Sequence, residues 1–178
     1  MSTLLLIGAS GVGKTAIAAQ LQTHGWLSSD VDQAVASQLG CSETSAYVDI
    51  PIAQRRSVEE EIFLQLVTQV LEQQPENCVV AASSGLFGSD PENIVLQEPL
   101  EQWKDGGGKV VLLTAELGTM ITRLGLASAQ LGGLVLPRRE LRVQLEKRRG
   151  LYQELADLEF DTTNTTPAQA AQQLMQLQ

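Results

Sequence analysis

The sequence holds one histidine, His24, and two cysteines, Cys41 and Cys78. A single imidazole excludes metal clusters that need two or more histidines. Neither cysteine sits in a C-x-x-C pair, so no disulfide framework or zinc knuckle is expected. No apolar run approaches the roughly 20 residues that span a bilayer, and Met1-Ser2-Thr3 is not a basic leader. The expectation is a soluble cytoplasmic protein without a membrane partner. Positive charge is scarce as well: 12 Lys and Arg against 21 Asp and Glu give a formal net charge of −9 and a pI of about 4.5. Nucleic acid and anionic lipid are repelled by such a surface, which points to small-molecule partners. With 178 residues, 43% of them hydrophobic, the chain fits one domain, 1–178, expected to act as a monomer.

Against these absences stands one dense motif. Residues 8–15 read Gly-Ala-Ser-Gly-Val-Gly-Lys-Thr, a complete G-x-x-x-x-G-K-[ST] phosphate loop, between the apolar run at 4–7 and a helix-like segment at 16–22. Glycines 8, 11 and 13 let backbone N–H groups turn inward around a polyphosphate, and the following helix points its positive end at it. Lys14 supplies a mobile positive charge for the β- and γ-phosphates, and Thr15 offers a hydroxyl to Mg²⁺.

Further short apolar runs, at 78–82, 110–113 and 158–160, alternate with helical patterns. That alternation argues for an α/β protein with a parallel sheet covered by helices on both faces. The longest helix is expected over 57–74, with Val58, Ile62, Leu66 and Val70 at four-residue intervals and Glu59, Glu60 and Glu61 in its first turns. Two more are expected over 140–156 and 167–177, the last starting at a proline. The triple glycine at 106–108 reads as a turn. Residues 125–137 carry no charge and read as a mobile loop.

Phosphoryl transfer also requires a metal partner for Thr15, a group that positions the acceptor's proton, and cations that cancel charge on the transferred group. Asp30-Val31-Asp32 follows the semi-apolar stretch 26–29, where a second strand ends on the same carboxyl edge as the phosphate loop. One carboxylate then faces Mg²⁺ and the other an acceptor hydroxyl; the plainer reading is that both are N-terminal acids of a helix over 33–39. Neither 78–82 nor 110–113 ends in Asp or Glu, which leaves Asp30 as the acid for the metal. Asp161 reads as a turn cap. Arg138, Arg139, Arg142, Lys147, Arg148 and Arg149 hold half of the basic residues. They form either an anion site or a solvated helix face with i,i+4 pairs to Glu140 and Glu146. Arg55-Arg56 opens the long helix, against the dipole, and is therefore a functional candidate.

With these residues in hand the chain resembles the shikimate kinase family, nearly end to end. The likeness rests on the phosphate loop, Asp30-x-Asp32, Arg56 ahead of an acidic helix start, and Lys147-Arg148-x-x-Leu151-Tyr152 with Ala156-Asp157 and Asp161-Thr162 behind it. It implies a three-layer P-loop kinase fold with a five-stranded parallel sheet, helices on both faces and a lid at about 125–139. It also implies a kinase that uses ATP and Mg²⁺ to phosphorylate a hydroxyl of shikimate or a similar small hydroxylated acid. Within that resemblance Gly11, Val12, Gly13, Lys14 and Thr15 hold phosphate, Thr15 and Asp30 hold the metal, and Asp32 is the general base. Arg56 and Arg148 clamp the substrate carboxylate beside Gly85, and Arg123 with Thr166-Pro167 brackets adenine.

Three departures accompany the likeness. The family's Gly-Glu pair upstream of the substrate arginine is Pro51-Ile52, so a supporting carboxylate is expected to be missing. Its triple-glycine strand end is Ser83-Ser84-Gly85, adding two side chains that would clash with shikimate or bond a different polyol. Its Arg-Pro-Leu-Leu lid is Leu136-Pro137-Arg138-Arg139, so Arg138 or Arg139 stabilises the transferring group only with a shifted register. Beside the shikimate reading stand a kinase for a gluconate-like acid or cyclitol and a catalytically silent nucleotide-binding paralogue. A nucleic-acid-dependent ATPase is opposed by the acidic balance.

Overall fold

A computed structural model describes residues 2–43, 46, 49–87, 94–124, 130–131, 134–135 and 138–176. The side chains of 94–95, 130–131, 134–135, 138–141, 144 and 147 fall outside that description. In chain order the elements are β1 (Ser2–Ile7), α1 (Lys14–Thr23), β2 (Leu27–Asp30), α2 (Val31–Leu39), α3 (Ile52–Gln73), β3 (Asn77–Ala81) and α4 (Ile94–Asp105). There follow β4 (Lys109–Thr114), α5 (Leu117–Arg123), β5 (Gln130–Leu131), β6 (Leu134–Val135), α6 (Arg138–Leu155), β7 (Leu158–Asp161) and α7 (Pro167–Gln176).

Five strands form one parallel sheet in the order β2-β3-β1-β4-β7. Its strands read as unbroken apolar runs because both faces are covered, and the period of two divides them between two cores. Leu5, Ile7, Val80 and Leu112 join Val35, Phe63, Val67 and Trp103 beneath α2, α3 and α4. Leu4, Leu6, Val79 and Val111 join Ile17, Leu21, Ala171 and Leu174 beneath α1 and α7. The expected fold is therefore present, with β1 at the centre, so the phosphate loop leaves the middle of the sheet's carboxyl edge. Among the described residues no helix is long and apolar enough to cross a membrane.

Two expectations change. The long helix begins at Ile52, behind the N-cap Pro51, so Arg55 and Arg56 lie one turn inside it, and its first turn holds no acid. Glu59 is consequently not a dipole-matching surface acid: it faces the core and is 2% exposed. Of the segment read as a loop, most lies outside the described residues, but Gln130–Leu131 and Leu134–Val135 pair antiparallel.

Candidate active site

The phosphate loop follows from backbone geometry that other residues disfavour. Gly8, Gly11 and Gly13 have φ of 136°, 83° and 103°, and a Cβ on Gly8 would run into the Leu113 carbonyl. Lys14, 7% exposed, folds back onto its own loop: Nζ donates to the carbonyls of Gly8 at 2.8 Å and Ala9 at 3.0 Å. Burial lowers its pKa to about 8, with the negative charges of Asp32 and Asp30 pulling the other way. Both aspartates therefore lie within electrostatic reach of the loop lysine.

Asp30 takes the capping role weighed for it. As the N-cap of α2 it has extended backbone, and its Oδ1 accepts from the Gln33 N–H at 3.2 Å. The other oxygen, Oδ2, is buried and has no hydrogen-bond partner among the described residues. Burial raises the Asp30 carboxyl above its ordinary pKa, while the Thr15 hydroxyl and the Gln33 amide favour its charged form. A buried carboxylate oxygen without a donor, set beside a threonine hydroxyl, suits a hard divalent cation. Asp32, in the first turn of α2, is half-buried, and its charge is felt by Lys14, Asp30 and Glu59.

The turn after β3, here called the floor, lies on the same carboxyl edge of the sheet as the phosphate loop. Arg56 Nη2 donates to the Gly85 carbonyl at 3.1 Å. A buried carboxylate does stand near this turn, that of Glu59, one helical turn beyond Arg55. Its Oε1 pairs with Arg55 Nε at 3.2 Å, and the Ser83 hydroxyl donates to it. Burial raises the Glu59 pKa, partly offset by those two groups. A Cβ on Gly85 would lie 3.6 Å from Glu59 Oε2. Sequence reasoning missed Glu59 because it stands in a run of three glutamates; its spacing of four from Arg55, with Ile62 three residues on, was the available signal. The extra serines turn toward protein groups: Ser83 meets Glu59, and the Ser84 hydroxyl shares a 2.7 Å hydrogen bond with that of Ser10. Tyr152 Oη donates to the Ser84 carbonyl at 2.5 Å. Burial pushes the Tyr152 pKa up to about 12, and the half-buried Arg148 guanidinium beside it pulls in the opposite direction.

Across the loop, Arg123 Nη1 and Nη2 donate to the hydroxyl and carbonyl of Thr162, with longer contacts to the Gly11, Val12 and Thr165 carbonyls. Thr166 and Gln169 form a reciprocal capping box at the start of α7, and Pro167 takes the first helical position. Asp161 caps its turn by accepting from the Thr163 N–H at 2.8 Å. The basic cluster divides. Arg142 and Arg149 line a cavity of about 400 Å³ that has Ala9 and Val12 on its wall. Arg149 also pairs with Glu159. Arg138 and Arg139 open α6, and their side chains lie outside the described residues.

The family profile described as shikimate kinase matches residues 10–178. The chain belongs to the shikimate kinase family. A curated relative from Lactococcus lactis subsp. lactis, named shikimate kinase, is 27% identical over 172 residues, 97% of this chain and 95% of the relative. Another from Xanthomonas oryzae pv. oryzae, of the same name, is 30% identical and covers 97% of this chain and 89% of its own. Among solved structures, shikimate kinase from Acinetobacter baumannii in complex with shikimate superposes with a TM-score of 0.75 at 22% identity, over 99% of this chain and 92% of that one. Shikimate kinase family membership makes the protein an ATP-using phosphotransferase with an alcohol group as acceptor.

Proposed function

We propose that the protein transfers the γ-phosphate of ATP to a hydroxyl of shikimate, in the cytoplasm and as a monomer with one domain. The observation that carries this reading is that Lys14, at the head of α1, lies within electrostatic reach of Asp30 and Asp32 at the β2–α2 junction, on one edge of the sheet. Asp32 takes the position of general base: it orients the acceptor hydroxyl and receives its proton as the oxygen attacks the γ-phosphorus. Arg56 and Arg148 hold the acceptor carboxylate, with Gly85 beneath the ring; two separated guanidinium groups suit a planar anion.

On the donor side, the N–H groups of Gly11, Val12 and Gly13 cradle the phosphates and Lys14 shifts from its loop carbonyls to them. Arg123, its edge held by carbonyls, offers a flat face to adenine, with Thr166 and Pro167 opposite. Thr15 and Asp30 would hold Mg²⁺, which supplies neutralisation of phosphate charge when bound. Arg138 or Arg139, preceding the cavity-lining Arg142, cancels charge on the phosphoryl group in transit. Both extra serines engage protein groups, which supports retention of shikimate as the acceptor.

The test is steady-state ADP formation with ATP, Mg²⁺ and shikimate. Shikimate-dependent turnover is expected. ADP release no faster than without shikimate, from folded protein that binds ATP, defeats the reading and favours the silent paralogue; turnover with gluconate alone moves the acceptor.

A further inference from the structure

The floor turn and the phosphate loop follow neighbouring strands. Leu6 pairs with Ala81, and the Ala82 N–H still donates to the Leu6 carbonyl at 3.0 Å. The strand register ends there, and the contact between the hydroxyls of Ser10 and Ser84 ties the two segments again. A glycine at 84 has no side chain to make it.

Ser84 is also a junction. Its carbonyl accepts from Tyr152 on α6, the helix that carries Arg148, and the next carbonyl, of Gly85, accepts from Arg56. Nucleotide phosphates drawing Lys14 away would strip the donor from Gly8 and Ala9, the residues leading directly into Ser10. The first half of the loop would thus change partners on nucleotide binding while its Ser10 end is fastened to the floor turn.

From this geometry, and resting on the acceptor reading above, we infer that the Ser10–Ser84 contact makes Ser84 a positioning residue that couples the two halves of the cleft. Bound acceptor steadies the floor, the floor steadies the loop, and nucleotide binds more tightly; by linkage the reverse holds equally. A single net hydrogen bond sets the scale of the coupling at about five-fold in affinity.

The test measures the dissociation constant of a nonhydrolysable ATP analogue with and without saturating shikimate, for wild type, Ser84→Ala, Ser10→Ala and the double variant. Ser84→Ala keeps the carbonyl bonded by Tyr152 and removes the hydroxyl alone. In wild type the ratio of the two constants is expected to be about five, falling toward one in either single variant with no further loss in the double. Ser84→Thr, which keeps the hydroxyl, restores it, and kcat moves less than KM. A ratio unchanged in both single variants overturns the inference, as does an additive loss.

Hydrogen exchange of the floor amides at 82–87 supplies an acceptor-independent readout. Nucleotide alone is expected to protect them in wild type and not in Ser84→Ala. If shikimate does not bind wild type, the acceptor reading fails while this second readout still decides the coupling. Equal protection in both proteins, or none in wild type, overturns it.

Discussion

Arg123 grips Thr162 twice, Nη1 on the hydroxyl at 2.9 Å and Nη2 on the carbonyl at 2.6 Å. The same hydroxyl can donate to the Val12 carbonyl at 2.8 Å or the Thr114 carbonyl at 3.0 Å, joining β7 to the phosphate loop and β4. Thr162→Val keeps the shape and leaves these groups short of a partner. Urea unfolding should show a loss of about 1–3 kcal/mol, accompanied by weaker ATP binding.

Asp32→Asn keeps size and removes the proton acceptor. The expected result is a fall in kcat of about 10²- to 10⁴-fold, with the ATP dissociation constant within about two-fold of wild type, since no phosphate contact is assigned to this residue. Steady-state kinetics and calorimetry separate the two quantities.

Asp30→Asn retains an oxygen that can cap α2 but loses the charge aimed at the cation. Stability should change by under about 1 kcal/mol, whereas the Mg²⁺ concentration for half-maximal activity rises about 10- to 100-fold. A Mg²⁺ titration of turnover checks it, beside thermal melts of both proteins.

Tyr152→Phe removes the donor to the buried Ser84 carbonyl. A cost of about 1–3 kcal/mol in stability is expected from the unpaired acceptor. The KM for shikimate should rise with it, because the floor and the helix bearing Arg148 lose their connection.

Lys14 gives a pH signature. Its pKa in the folded chain, about 8, lies below the ordinary 10.5 that the unfolded chain keeps. Between those values the unfolded state binds more protons, so stability rises with pH; the contribution is complete above 10.5 and is lost as pH falls through 8. Relative to Lys14→Met, wild type should gain up to about 3 kcal/mol from pH 8 to 10.5, read from denaturant midpoints at each pH.

The sheet and the phosphate loop were legible because unbroken apolar runs and glycine spacing are local signals. Helix α4 was not, since Pro99 lies inside it, and α5 is only seven residues long with Gly118 near its start. The start of α3 was misplaced because Pro51 is an N-cap without a side-chain bond, whereas the charged run after it suggested a later beginning. Glu59, the orphaned Asp30 oxygen and the Ser10–Ser84 contact depend on segments far apart in the chain meeting at one edge. Their chemistry could be listed from sequence, but their company could not.

The Thr162 hydroxyl reaches back 150 residues to the Val12 carbonyl. During synthesis the nucleotide cradle emerges from the ribosome well before its fastening does. Nascent chains stalled before β7 should therefore be poor at retaining ATP, however complete their amino-terminal motif.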